Sequence, residues 1–67
     1  MQTPIKKLLT TGSNVIMYTE DNRLLIADLY GTLRRVIELD TNVRDVIIDE
    51  LDNLYAISIG HAEKIDY

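Results

Sequence analysis

The chain has 67 residues, room for one domain and less than the roughly 100 residues that most enzyme architectures need. Hydrophobic residues make up 46% and charged residues 27%, a globular balance that excludes a disordered chain. With no cysteine and a single histidine, His61, disulfides, thiolate metal sites and multi-histidine zinc sites are all excluded. The formal net charge of −4 opposes non-specific binding to phosphate backbones. No apolar run approaches the roughly 20 residues that span a bilayer. The opening MQTPIKK lacks the apolar core of a signal peptide, and a cytoplasmic location is expected.

The elements follow from short runs of β-branched and aromatic residues separated by turn formers. Ile5–Leu9 follows Pro4 and reads either as one helical turn, which suits a proline at its first position, or as a short strand. Strands are predicted over Val15–Thr19, Arg23–Leu29, Leu33–Leu39, Val43–Asp49, Leu54–Ile59 and Glu63–Tyr67. Asp21-Asn22 and Asp52-Asn53 supply residues that tolerate positive φ, Gly31 closes a longer hairpin and Gly60-His61 makes the last turn. The predicted fold is all-β: a single domain, 1–67, forming a small antiparallel meander of about six short strands.

Alternation leaves both faces of these strands apolar. Leu25, Ala27 and Leu29 oppose Leu24 and Ile26, and Tyr55, Ile57 and Ile59 oppose Leu54 and Ala56. Such strands need cover on both sides. A chain this short also has little core and no covalent or metal staple, so self-association is the remaining common device. A homo-oligomer is therefore expected. An internal echo joins the two central hairpins: VIMYTEDNRLLI at 15–26 and VIIDELDNLYAI at 46–57 share five identities at an offset of 31, as sheet-stacking repeats do.

The stretch from Asn22 to Tyr67 resembles β-propeller blade sequence of the NHL type. Asn22-Arg23 opens a strand that ends in Asp28-Leu29-Tyr30-Gly31. A two-strand unit follows, Val43–Asp49 and Asn53-Leu54-Tyr55-Ala56, and Lys64-Ile65-Asp66 closes it. That resemblance implies radially arranged four-stranded blades with ligands on their faces or in a central channel. The chain holds fewer than two such blades, so several copies would have to assemble. A second, weaker resemblance is to small Sm/SH3-like barrels, with Pro4–Leu9 as the short helix and Asn14–Asp21 with Arg23–Tyr30 as the first hairpin. It implies a ring that binds single-stranded RNA.

Catalysis has no motif behind it: Ser13 and Ser58 are the only serines, and no spacing suggests a triad with His61. The acidic segment 38–52 sets six carboxylates against Arg44 alone, but without the D-x-D-x-D-G pattern it reads as a solvated face. No metal and no cofactor are expected. The candidate contact residues are Arg23, Arg34 and Arg35, whose guanidiniums suit phosphate or carboxylate, Tyr18 and Tyr55, which could stack or pack at an interface, and His61. Adjacent strand residues point to opposite faces, so Arg34 and Arg35 can serve one patch only if a bulge intervenes. The sequence thus points to a non-enzymatic binding or interaction module that acts as a homo-oligomer and captures a protein partner or a small anionic ligand between subunits. A single-stranded RNA-binding ring is the alternative.

Overall fold

Thr19, Asp28 and Asp49 each begin a hairpin with the same local chemistry. In each loop the amide three residues on (Asn22, Gly31, Asp52) donates to the first residue's carbonyl at 3.1 Å. That third-on residue has positive φ: 61° at Asn22, 89° at Gly31 and 62° at Asp52. The following amide then bonds the first residue's side chain: Arg23 N to Thr19 Oγ1 at 3.0 Å, and Thr32 N and Asn53 N to Asp28 and Asp49 Oδ1 at 2.9 Å. This is the three-residue hairpin loop whose last position is left-handed, which Gly, Asn and Asp occupy at least cost.

These loops organise the computed structural model, which describes residues 4–67, into seven strands. They are β1 (Ile5–Thr10), β2 (Asn14–Thr19), β3 (Arg23–Asp28), β4 (Leu33–Glu38), β5 (Val43–Ile48), β6 (Leu54–Ser58) and β7 (His61–Ile65). They form two sheets, β1-β2-β3-β4 and β5-β6-β7, and within each sheet consecutive strands pair antiparallel. The all-β reading stands, with seven strands where about six were predicted. Ile5–Leu9 resolves as strand: Leu8, Leu9 and Thr10 pair with Met17, Ile16 and Val15. The last strand begins two residues earlier than predicted, because Gly60 at φ 70° makes a tight turn that sets Ser58 opposite His61.

The two sheets share one core. Ile16, Tyr18, Leu24 and Ile26 from the first meet Val46 and Leu54 from the second, with Leu9, Ile37, Ile48 and Ile65 packed around them. The molecule is a slab of 35 × 34 × 15 Å, a thickness that suits two layers stacked about 10 Å apart.

The core also corrects the phase of the repeat. Ile16 pairs with Ile26 and Val46 with Ala56, while Tyr18 pairs with Leu24 and Ile48 with Leu54. The structural offset is therefore 30, not 31. Since side chains alternate, an offset of 31 would set the buried Ile16 against Ile47, which is 43% exposed. The shared letters D-N misaligned the loops by one, because Asn22 corresponds to Asp52 and either residue tolerates the left-handed position.

What fastens the sheets together is the free edge of β5. The Asp49–Asn53 hydrogen bond sets the alternation of that hairpin, which turns the Val46 N–H and C=O away from β6. Both find side-chain partners: Val46 N donates to Asp45 Oδ1 at 2.8 Å, and Lys7 Nζ, reaching from β1, donates to Val46 O at 2.8 Å. At the other end Tyr18 donates its hydroxyl to Asn22 Oδ1 at 3.0 Å. Asn22 Nδ2 in turn donates to Asp40 O at 3.0 Å and Val43 O at 3.4 Å.

Two outcomes are expected in chemical denaturation. Asn22→Gly keeps the left-handed residue but strips the buried Tyr18 hydroxyl of its closer acceptor, leaving it only Val43 O at 3.5 Å, and should cost about 1–3 kcal/mol. Much of that loss should disappear when Asn22→Gly is made in a Tyr18→Phe background. Leu54→Ala, at a fully buried position, should cost about 2–5 kcal/mol.

Candidate functional site

β4 pairs with β3 through Arg23–Glu38, Leu24–Ile37, Leu25–Val36 and Ile26–Arg35, and the next pair is Ala27–Leu33. One residue of β4, Arg34, is therefore extra, and the strand bulges there. A bulge sets two consecutive residues against one on the partner strand and relaxes their strict alternation. Arg34 and Arg35 accordingly both line one cleft of about 340 Å³, together with Ser13, Asn14, Ile26 and Tyr67.

Each wall has a local cause. Ser13 and Asn14 are held at the β1–β2 turn, where Thr11 Oγ1 accepts from their backbone amides at 3.3 and 3.0 Å. Ile26 is a buried core residue that gives the cleft an apolar floor. Tyr67 is anchored by its hydroxyl, which donates to Asp52 O at 2.6 Å. Arg35 donates from one guanidinium nitrogen to Asp66 O at 3.1 Å, so the C-terminal segment is drawn along the cleft by an arginine that is itself exposed. The carboxylate next to this region, Asp28, points its Oδ1 at the Tyr30 and Thr32 amides, 2.9 Å from each.

Of the six residues singled out by sequence, the fold brings together Arg34 and Arg35. The other four lie elsewhere. Arg23 sits at the start of β3, exposed, with its Nε 3.4 Å from Asp21 Oδ2. Tyr18 is 1% exposed, its hydroxyl engaged with Asn22 and the Lys6 ammonium 5.3 Å from its ring centroid. Tyr55 is half-buried in β6 and donates its hydroxyl to Asp49 Oδ2 at 3.1 Å. His61 is exposed at the start of β7. Sequence reasoning did not select Ser13, Asn14 or Tyr67 for this cleft. Polar residues at a turn and a tyrosine following the last strand carry no spacing that ties them to β4; only the fold does.

Elsewhere the electrostatics serve the fold. Asp49 lies below its ordinary value of 3.8. The Asn53 amide lowers it most; some burial opposes this, and the Asn53 side chain, the Leu51 amide and the Tyr55 hydroxyl add to the lowering. Tyr55 is raised above 10.0 by the same hydrogen bond to Asp49, by burial and by the carboxylate's charge. At Asp45, burial works against ionisation, but the Val46 amide and the Lys7 hydrogen bond and charge outweigh it and lower the pKa. The Lys7–Asp45 pair at 3.2 Å is about half exposed, so its worth lies in covering the β5 edge more than in Coulomb energy. Among the described residues, no three His, Asp or Glu side chains converge as a metal-holding group.

The pH dependence has a definite sign at both ends. A carboxylate with a depressed pKa stabilises the fold above its unfolded pKa, and that contribution is lost as pH falls through the folded value. For Asp49 the loss falls below about pH 4, and Asp49→Asn should flatten the acid limb of a stability–pH curve. Tyr55, whose pKa is raised, contributes below its unfolded value of about 10 and loses that contribution as pH rises further. Tyr55→Phe should remove that alkaline component.

No protein-family model, no curated protein and no solved structure matches this chain.

Proposed function

We propose that this protein is a binding and assembly module, not a catalyst, and that it works as a homo-oligomer built through the outer face of its four-stranded sheet. One observation carries the reading. On the face turned away from the core, the register aligns Leu8, Met17, Leu25 and Val36 in one row, one residue from each strand. Leu8 is 62% and Val36 47% exposed. The next row holds Thr10, Val15, Ala27 and Leu33, with Leu33 also exposed. The third row of this face is polar, with Thr19, Arg23 and its register partner Glu38, but a largely aliphatic band two rows deep across all four strands is the kind of surface that monomers rarely leave in water. The outer face of β5-β6-β7 differs, since Asp45 and Lys64 break up Ile47, Tyr55 and Ile57.

The occupant that suits this face is a second copy of it, packed sheet on sheet. Four strands about 4.8 Å apart and six residues of about 3.3 Å each give a face of roughly 400 Å², hence about 800 Å² buried between two copies. That is below the 1,200–2,000 Å² of standard stable interfaces. The association is therefore weak and concentration-dependent unless further contacts join it. Light scattering between 10 µM and 1 mM (roughly the range for so small an interface) should show mass rising with concentration. Val36→Lys and Leu8→Lys should each hold the chain monomeric with an unchanged β-type circular-dichroism spectrum. A constant monomer mass for the unsubstituted chain across that range would remove the reading.

A further inference from the structure

We infer that the cleft between β4 and the β1–β2 turn is a binding site for a phosphate monoester carried on an apolar or aromatic body about the size of a mononucleoside. The site is complete within one chain, so it stands apart from the self-association proposed above.

Three observations converge on this ligand class. First, the β4 bulge gathers Arg34 and Arg35 into one cleft in a chain whose formal charge is −4. Adjacent residues of a regular strand would have diverged, so a local departure from regular pairing is what places two guanidiniums together. Guanidinium is the side chain whose fork of donors matches a phosphate's oxygens. Second, Asn14 and Ser13 border the same cleft; Asn14 Nδ2 donates to Ser13 Oγ at 3.4 Å, which leaves the amide's second hydrogen and the hydroxyl hydrogen as neutral donors for further phosphate oxygens. Third, the cleft has more than an anion's worth of room. Its volume of about 340 Å³ falls in the range of small-molecule pockets, and it sets the half-buried Tyr67 beside the polar wall, with Ile26, 3% exposed, closing its base. A dianion alone would leave the tyrosine unused.

Two acidic residues adjoin the site, Asp28 opposite Asn14 in the register and Asp66 beside Tyr67 in sequence. Asp28 directs its Oδ1 to two backbone amides of its own loop, which disperses its charge. Arg35 gives one nitrogen to Asp66 O and retains further donors on the same guanidinium. That contact also fixes the side chain, so less rotamer freedom remains to be lost when a ligand arrives.

The experiment is isothermal titration, with thermal unfolding in parallel, at physiological ionic strength. The probes are adenosine monophosphate, phenyl phosphate, inorganic phosphate and adenosine. Adenosine monophosphate and phenyl phosphate should bind and raise the unfolding midpoint; inorganic phosphate should bind more weakly, and adenosine should bind least. Arg34→Ala and Arg35→Ala should each weaken adenosine monophosphate by about tenfold or more. Arg23→Ala, which removes the same charge at the far end of β3, should change it less than twofold. Arg34→Lys, which keeps the charge but not the fork, should fall between Arg34→Ala and the unsubstituted chain. Circular dichroism of each variant shows that the sheets persist, and Arg34 and Arg35 are both exposed, so their truncation leaves the core intact. The inference is overturned if no phosphate probe binds, if adenosine binds as well as its monophosphate, or if Arg23→Ala weakens binding as much as Arg34→Ala does. Equal affinity for inorganic phosphate and adenosine monophosphate would equally overturn it, since Tyr67 would then contribute nothing.

Discussion

The free edge of β5 is where this fold is decided. Two antiparallel meanders in one short chain could drift apart, because between stacked sheets only side chains touch. Here the outward-facing backbone of β5 is held by side chains of the other sheet and its loops, Lys7 on Val46 O and Asn22 on Val43 O, and Asn22 also holds Asp40 O in the loop that leads into β5. The same contacts close an edge that would otherwise offer itself to another strand. Asn22 is central to this. It takes the left-handed position of the β2–β3 loop, accepts the Tyr18 hydroxyl and donates across to Val43 O of the second sheet. A glycine would serve the turn and an alanine neither role, so local turn chemistry and sheet docking are specified by one residue.

Much of the fold was legible from the sequence because its information is local. Strand positions followed from β-branched runs and the hairpins from Asp, Asn and Gly, and these survive within a residue or two. Two features were not legible. Ile5–Leu9 has no periodicity to separate strand from helical turn; its state is set by pairing with β2, a tertiary effect. The phase of the repeat is hidden because identical letters at Asp21-Asn22 and Asp52-Asn53 align at an offset of 31, while the burial pattern that sets the offset of 30 is exposed only by the register. The determining residues are Thr19 and Asp49, different in type but alike in placing a side-chain oxygen where the amide four residues on can reach it.

The candidate cleft shows the same division. Arg34 and Arg35 stood out by chemistry, and the condition for their acting together, a bulge, followed from strand geometry alone. Whether the bulge exists depends on how the loop at Asp28 delivers β4 to β3. The hydrogen bond from Asp28 N to Thr32 O closes that loop, after which Leu33 meets Ala27 and one residue must be absorbed before Arg35 meets Ile26. Tyr18 attracted notice for the same reason as the arginines, its chemistry, yet it lies within the core. Residue type indicates which groups can recognise a ligand, and burial decides which of them remain free to do so.

The bulge also divides β4 between two surfaces. Past it, regular alternation resumes: Arg35 lies across from the core residue Ile26, and Val36 falls in the outer row with Leu25, Met17 and Leu8. The arginine cleft and the apolar band are therefore back to back on one sheet, separated only by its thickness. A slip of β4 by one residue would turn Val36 inward and Arg35 outward together, placing a charge in the apolar row and an aliphatic side chain where the arginine stood. The two surfaces are thus set by a single register, and the loop geometry at Asp28 that fixes it underlies both.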